Sequence, residues 1–166
     1  DSTSKKLSVK INQVQKIDSL TDIFTVNPEL EIITKKGTIV KKLNISKKEE
    51  LFEFENISKP LAINFDPYDK IIKETEIEET TEMLINKLLL SKSISAKIYA
   101  ASKLKDISDS LQIPNQLIKV EEKEKAINLK LELLKSIANS KRKEALTYLI
   151  KRTTDNDPRV RRLLLF

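Results

Sequence analysis

The spacing of hydrophobic side chains changes once along this chain, within the stretch INFDPYDKIIKE at residues 63–74. Before this stretch, residues such as Leu7, Val9 and Ile11 alternate with polar ones, which is the period of a half-buried strand. After it, residues such as Leu84 and Leu88 recur at the period of an amphipathic helix. The sequence therefore predicts an α+β protein with one domain over residues 1–67 and a second over residues 68–166.

The first part contains short segments with the composition and alternation of β-strands. Gly37, the only glycine of the chain, lies in a hairpin turn where φ must be positive. Short strands separated by frequent turns predict a small antiparallel β-sandwich domain. The predicted strands are Leu7–Ile11 with a continuation toward Val14, Ile23–Val26, Glu29–Thr34, Thr38–Ile45, Leu51–Phe54 and Leu61–Phe65.

The second part contains an internal repeat of apolar positions. Ile98, Leu129 and Val160 stand 31 residues apart, and each opens the apolar face of a helix. Helix pairs at such a spacing are typical of an α-solenoid, in which each pair buries its apolar face against its neighbours. We therefore predict HEAT-like solenoid helices after the sandwich. The predicted repeat core consists of Ile98, Ala101, Leu104, Leu129 and Val160.

Several details of the repeat are predicted as well. Thr80 or Thr81 is expected to cap the first helix, and Asp157 is expected to cap a helix that begins at Pro158. The middle pair is imperfect, because its first helix has only residues 114–120 available. Leu84/Leu88 and Leu146/Ile150 recur at twice the period. The last apolar face, formed by Val160, Leu163, Leu164 and Phe166, is expected to need a further repeat, so the helical domain is interpreted as truncated and the chain as a piece of a longer polypeptide.

Three residue types are too rare for most catalytic sites. The chain has no histidine, no cysteine and one glycine. It therefore cannot build a His- or Cys-ligated zinc site, a Ser-His-Asp triad or a glycine-rich phosphate loop from its own residues. We assign no catalytic, cofactor-binding or metal-binding residue, and we expect that the chain alone is not an enzyme.

Charged residues are abundant, and we interpret most of them as solvated surface. The carboxylate groups Glu49/Glu50, Glu76/Glu78/Glu79 and Glu121/Glu122/Glu124 lie among lysines without a metal-binding loop pattern. A late basic stripe can attract phosphate, but a solvated helical face is the simpler interpretation. With aromatic residues at 5% of the chain, nucleic acid is not the expected partner. The stripe comprises Lys135, Lys141, Arg142, Lys143, Lys151, Arg152, Arg159, Arg161 and Arg162.

Targeting signals are also missing from the sequence. No apolar run approaches the roughly 18 residues of a membrane span, and the polar start DSTSKK has no signal-peptide core. We therefore expect a cytoplasmic protein without a membrane partner.

The order of these elements resembles the C-terminal region of aminopeptidase N-like zinc metallopeptidases. In one branch of that family, a small β-sandwich ends in a similar Phe-Asp-Pro and a HEAT-like domain follows, with an Arg/Lys-Ile-x-Ala-Ala-x-x-Leu helix. Here the first motif is Phe65-Asp66-Pro67, which we call the seam segment, and the second runs from Lys97 to Leu104. The early LSVKINQVQ at residues 7–15 is similar to the first strand of the family's sandwich.

The resemblance implies a non-catalytic role for this chain. The parent would hydrolyse N-terminal residues from peptides with a zinc-bound water, and this region would limit which peptides enter. The zinc motif H-E-x-x-H is absent here, so zinc is expected in an upstream catalytic domain. That domain and the peptide substrate are the expected partners. In the seam segment, Phe65 is expected to be buried, Asp66 to bond backbone N–H groups and Pro67 to fix the turn.

Two other classes of function remain open from the sequence. The chain could be a non-enzymatic scaffold, as in a transcription-initiation factor subunit that is related to these peptidases. It could also be an unrelated HEAT-type adaptor that binds a partner or nucleic acid through the basic stripe.

Overall fold

A computed structural model describes residues 6–107 and 113–165 of the chain. Within these ranges five strands come first and six helices follow, so the protein is α+β as predicted. The chain divides into two compact units, Asp1–Glu78 and Glu79–Phe166. The first unit thus includes the residues between Pro67 and Glu78, which the sequence assigned to the helical domain.

The first unit contains two small antiparallel sheets. Strand β1 pairs with β4 in one sheet, and β2 lies between β3 and β5 in the other. Both sheets direct apolar side chains into one hydrophobic cluster, in which Leu30 and Ile32 are almost completely buried. The strands are β1 Leu7–Asn12, β2 Glu29–Thr34, β3 Gly37–Lys42, β4 Glu49–Phe54 and β5 Ala62–Phe65.

The predicted strand Ile23–Val26 is wrong. Among the described residues, only an isolated bridge between Val26 and Ile45 forms there. Residues 23–25 lack the ladder of hydrogen bonds that defines a strand, and Phe24 is largely exposed although its neighbours are β-formers. The backbone N–H and C=O of Phe24 bond the side chain of Gln13 instead of another strand.

The hairpin between β2 and β3 has the predicted turn. Gly37 has a φ of 125°, a conformation that residues other than glycine rarely adopt. Thr34 closes the turn, because its Oγ1 donates to the Gly37 carbonyl at 2.9 Å and accepts from the Lys36 N–H at 3.1 Å. The single glycine is therefore placed by a backbone requirement.

The second unit contains six helices around its own hydrophobic cluster. Thr80 caps the first helix, since its Oγ1 accepts from the Met83 N–H, and Ser93 caps the second in the same way. Asp157 accepts from the Arg159 N–H, with Pro158 at the first helical position. The helices are α1 Thr81–Leu90, α2 Ile94–Lys105, α3 Ile113–Lys123, α4 Ile127–Ala138, α5 Lys143–Arg152 and α6 Pro158–Leu165.

The helices pack in two series. Helix α4 contacts both α2 and α6, while α3 contacts α5, and each odd helix also contacts the even helix that follows it. The 31-residue spacing falls on the even series, where Leu129 and Val160 are buried and Ile98 is partly buried against the cluster. Ala101 and Leu104 of α2 are buried as well.

Two details of the predicted helices are wrong. Helix α3 spans 113–123 and is longer than the predicted 114–120, because Ile113 and Leu117 give it a buried face. Leu146 and Ile150 are about 60% exposed, since α5 turns the opposite face with Ala145 toward the cluster. Phe166 lies outside the described residues. Across the described ranges, every helix is too short or too polar to cross a membrane.

The conformation of Gly37 generates a stability prediction. Gly37→Ala should lower the free energy of unfolding by about 1–3 kcal/mol, because an alanine is strained at this φ. A Cβ would meet no atom within 4 Å, so the cost is backbone strain and no clash contributes. Urea unfolding measures the change. Lys36→Ala in the same turn is the control and should stay within about 0.5 kcal/mol of the parent; equal stability of both variants would contradict the strain argument.

Candidate functional site

The seam segment forms a compact hydrogen-bonded turn inside the first unit. The Asp66 side chain is buried, with Oδ1 accepting from the Lys70 N–H at 3.2 Å and Oδ2 from the Ile71 N–H at 3.0 Å. Lys73 Nζ donates to Oδ2 at 2.7 Å. Asp66 itself has a φ of 46°, a conformation that aspartate tolerates better than most residues. One carboxylate therefore organises the chain from Asp66 to Lys73.

Hydrogen bonding controls the charge of Asp66. Burial alone would raise the pKa of this carboxyl, but the bonds from Lys73, Ile71 and Lys70 outweigh it and lower the pKa. Phe65 is half-buried against the sheet cluster, and Pro67 is buried. These contacts lie within the first unit.

A buried ion pair lies at the start of the second unit. Glu79 and Lys87 have side chains that are each 1% exposed, and Glu79 Oε2 accepts from Lys87 Nζ at 2.6 Å. Lys87 Nζ also lies 4.9 Å from the centre of the Tyr99 ring. The second oxygen of Glu79 has no hydrogen-bond partner among the described residues. Burial raises the pKa of Glu79 and lowers the pKa of Lys87, and each partner opposes that shift in the other.

A second buried carboxylate lies deeper in the helical unit. Glu121 of α3 is completely buried and accepts hydrogen bonds from the Tyr148 hydroxyl and from Arg152 Nη2, the latter at 2.5 Å. Lys130 Nζ lies 3.7 Å from Oε1 of the same carboxylate. Arg152 bonds Asp155 at 2.6 Å through its other terminal nitrogen. Glu121 therefore joins α3 to α4 and α5 through charged or hydroxyl donors.

The Glu121 network favours a structural role over acid–base chemistry. Burial and the neighbouring Glu121 carboxylate raise the pKa of the Tyr148 hydroxyl, so this tyrosine stays protonated at neutral pH. Both oxygens of Glu121 already accept from donors of the chain itself. A general base must instead reach a proton of the substrate. We therefore find no general base in this network.

The surface interpretation of the carboxylate groups is wrong for Glu79 and Glu121. Glu121 follows Ile113 and Leu117 at steps of four residues, which places it on the buried face of α3. Lys87 similarly lies between Leu84 and Leu88 on the buried face of α1. The spacing of these residues indicates a buried position, but Glu and Lys are usually exposed, so the sequence alone favours the surface.

Part of the basic stripe is engaged within the chain. Arg159 bonds Asp157, and this pair lowers the pKa of Asp157 to about 2. Arg161 donates to the carbonyl oxygens of residues 155 and 156, and Arg152 belongs to the Glu121 network. Lys135 pairs with Glu132 at 3.1 Å. These four cations thus have partners in their own unit.

The described residues do not assemble a metal site. Within residues 6–107 and 113–165, no three side chains of the His, Cys, Asp and Glu types come together in a group that could hold a metal ion. The Glu121 carboxylate is surrounded by cations, which is the opposite of what a metal ion requires.

Comparisons with known proteins give a likeness at the level of fold. No protein-family model matches the chain, and no curated protein matches it either. A solved structure of Legionella pneumophila aminopeptidase A in complex with aspartic acid is similar over 99% of this chain, with a TM-score of 0.60 and 17% sequence identity. The matched part is 22% of the Legionella chain. The likeness shows a shared fold, and this chain spans about a fifth of that protein.

The buried ion pair generates a double-mutant prediction. Glu79→Leu and Lys87→Met should each cost about 3–5 kcal/mol, because each leaves an uncompensated buried charge. The double variant should cost much less than the sum of the two. Urea unfolding of the four proteins gives the coupling energy. The pair Glu132–Lys135 on α4, in which the lysine is exposed and the glutamate partly buried, is the control, with an expected coupling below about 1 kcal/mol. Additive losses at Glu79 and Lys87 would contradict the pairing.

Asp66 generates a pH prediction. Its lowered pKa means that, as the pH falls, the unfolded chain takes up this proton before the folded chain does. The stabilisation is therefore present above the ordinary carboxyl pKa of about 4 and is lost as the pH falls through the folded pKa.

Asp66→Asn should consequently lower the free energy of unfolding by about 1–3 kcal/mol at neutral pH, with a difference that shrinks below about pH 4. Denaturant unfolding from pH 3 to pH 7 measures both effects. Asp69→Asn is the matched control, since Asp69 has a similar φ of 48° but an exposed side chain. A difference that stays constant with pH would contradict the assigned hydrogen bonds.

Proposed function

We propose that this chain is the non-catalytic C-terminal region of an aminopeptidase, which hydrolyses N-terminal residues from peptides, and that it shapes access to an active site upstream. The observation that carries the proposal is the structural similarity to an aminopeptidase. This similarity covers 99% of this chain and 22% of the aminopeptidase chain. The seam segment and the motif from Lys97 to Leu104 add support, because they follow one another in the order in which the corresponding motifs occur in the family that the sequence resembles.

Zinc, as proposed for the parent enzyme, belongs outside this chain. The sequence has no histidine or cysteine, and the described residues form no group of three potential ligands. The residues present therefore do not fit a zinc site, and we derive no catalytic step through a metal here. What the chain would supply is a wall of the substrate cavity.

We further propose that the helical unit is HEAT-like. The packing of α2 on α4 and of α4 on α6, with α3 on α5, supports two parallel series of helices. The core positions at a 31-residue spacing, of which Leu129 and Val160 are buried and Ile98 is partly buried, support one repeat per helix pair. Such a unit presents a curved surface, which suits a domain that encloses a cavity. The internal pairing of Arg152, Arg159 and Arg161 weakens the nucleic-acid alternative.

The proposal is tested with the natural polypeptide that carries this chain. That polypeptide should release the chromophore from aminoacyl 4-nitroanilides, lose the activity with a zinc chelator and regain it with added zinc. The 166-residue chain assayed alone should be inactive at the same concentration. Hydrolysis by the chain alone, or a natural polypeptide without H-E-x-x-H upstream, would overturn the proposal.

The access role needs a separate comparison. Removing residues 79–166 from the natural polypeptide should raise the rate on a ten-residue peptide relative to the rate on a dipeptide. Retained dipeptide hydrolysis is the control, because it shows that the catalytic domain still folds. An unchanged ratio of the two rates would show that this region does not limit entry.

A further inference from the structure

The backbone pairing of the edge strand β3 continues beyond the end of the strand at Lys42. The β2–β3 register pairs Glu29 with Lys42, and the isolated bridge of Val26 with Ile45 continues the same register. The Leu43 N–H also donates to the Pro28 carbonyl at 2.9 Å. Residues 37–45 therefore form one continuous edge along the sheet.

The other side of this edge has no strand partner in the described part of the chain. The Val26–Ile45 pair exchanges both backbone hydrogen bonds, which fixes the alternation along an antiparallel ladder. The backbone N–H and C=O groups of every second residue from Gly37 to Ile45 point toward β2 or the residues that precede it. The intervening residues direct these groups toward the free edge. They are Thr38, Val40, Lys42 and Asn44, and all four side chains are exposed.

The same segment carries an unbalanced charge. Residues 35–48 contain six lysines and no acidic residue. Within the described ranges none of these lysines forms an ion pair, although lysines elsewhere in the unit pair with Glu29, Glu49, Glu53 and Asp66. Lys35 and Lys36 lie at one end of the edge, Lys42 lies along it, and Lys47 and Lys48 lie just beyond the other end.

We infer that the free edge of β3 is a docking site for an extended acidic segment of a partner protein. The segment adds to the sheet as a further strand beside β3, with its backbone bonded to residues 38–44 and its carboxylates next to the lysines. Edge addition takes its affinity from backbone hydrogen bonds and its selectivity from the side chains along the edge. This inference does not rest on the proposed peptidase relationship.

The chemistry of the edge favours a peptide over other polyanions. Outward N–H groups alternate with outward C=O groups, which suits another peptide backbone but places carbonyl oxygens against a phosphate chain. Residues 35–48 contain no aromatic side chain on which bases could stack. Val40 is the one residue of this segment among the large exposed hydrophobics, so little apolar surface is available for a lipid bilayer.

Lysines on an edge strand also discourage pairing between copies of the same chain. That effect and the proposed docking are compatible, because like charges repel a second copy while opposite charges attract an acidic strand. One measurement distinguishes protection against self-pairing from docking of a partner. An edge that serves only for protection binds no added strand through its backbone, whatever the charge of that strand.

The test uses the whole 166-residue chain and a labelled eight-residue peptide of alternating glutamate and valine. Fluorescence anisotropy gives its affinity, and amide hydrogen exchange by NMR gives the residues that it protects. The control, called the proline peptide, alternates N-methylated glutamate with proline, so it has the same charge but no backbone N–H along its length. It should bind about three- to tenfold more weakly. Protection should rise at Val40, Lys42 and Asn44 and stay unchanged at Ile39 and Lys41.

Two variants separate backbone pairing from charge. Val40→Pro removes an N–H that faces the free edge and should weaken the valine peptide about three- to tenfold while leaving the proline peptide unaffected. Lys36→Glu with Lys42→Glu should weaken both peptides. Lys143→Glu with Lys151→Glu on α5 is the matched control with the same change in net charge, and it should leave both affinities within about twofold. Thermal unfolding confirms that each variant folds.

Three results would overturn the inference. The first is equal binding of the valine and proline peptides, which would mean charge attraction without strand addition. The second is an unchanged exchange rate at the outward amides in the presence of saturating peptide. The third is that duplex DNA, or vesicles containing phosphatidylserine, bind more tightly than the valine peptide at the same salt concentration. The double variant Lys36→Glu with Lys42→Glu would then lose this tighter binding.

Discussion

Hydrophobic side chains collect in two separate clusters, and each strand or helix is placed by the cluster that it covers. Both sheets of the first unit direct side chains to the cluster around Leu30 and Ile32. The helices of the second unit surround the cluster around Leu117 and Leu133. An element that buries one face spaces its apolar side chains two residues apart in a strand and three to four apart in a helix, whereas β2 is buried on both faces. The single change of period along the chain marks the change from the strands around the first cluster to the helices around the second.

Buried charges add specificity to the helical core. A carboxylate without water needs donors around it, and Glu121 finds them on two other helices. A shift of α3 along α5 would separate Glu121 from Tyr148 and Arg152 and leave the charge uncompensated. Hydrophobic contacts alone would resist such a shift less strongly, since apolar side chains can exchange neighbours at little cost. The Glu79–Lys87 pair acts similarly at the first helix of this unit.

In both of the roles that we propose, the chain would act through its surfaces. As part of an aminopeptidase it would enclose a cavity whose chemistry lies elsewhere, and along β3 it would offer backbone groups to a partner. Neither role requires a nucleophile or a metal ligand of its own, which suits a chain without histidine or cysteine. The cationic edge and the paired arginines near α6 also show that two basic segments can differ in whether their charges have partners. Arg159 and Arg161 have partners in their unit, whereas the lysines of residues 35–48 form no ion pair with any described residue.

The sequence by itself determined the α+β class, five of the six predicted strands, the caps at Thr80 and Asp157 and the turn at Gly37. These features depend on near neighbours, through alternation, capping side chains and allowed φ values. Tertiary structure decided that Leu146 is exposed, that Ile23–Val26 forms no strand and that Glu121 is buried. Each of these depends on a partner distant in sequence, such as Arg152 for Glu121, and a residue's own spacing cannot specify that partner. Local periodicity selects the element, but the free energy of burial is set by what packs against it.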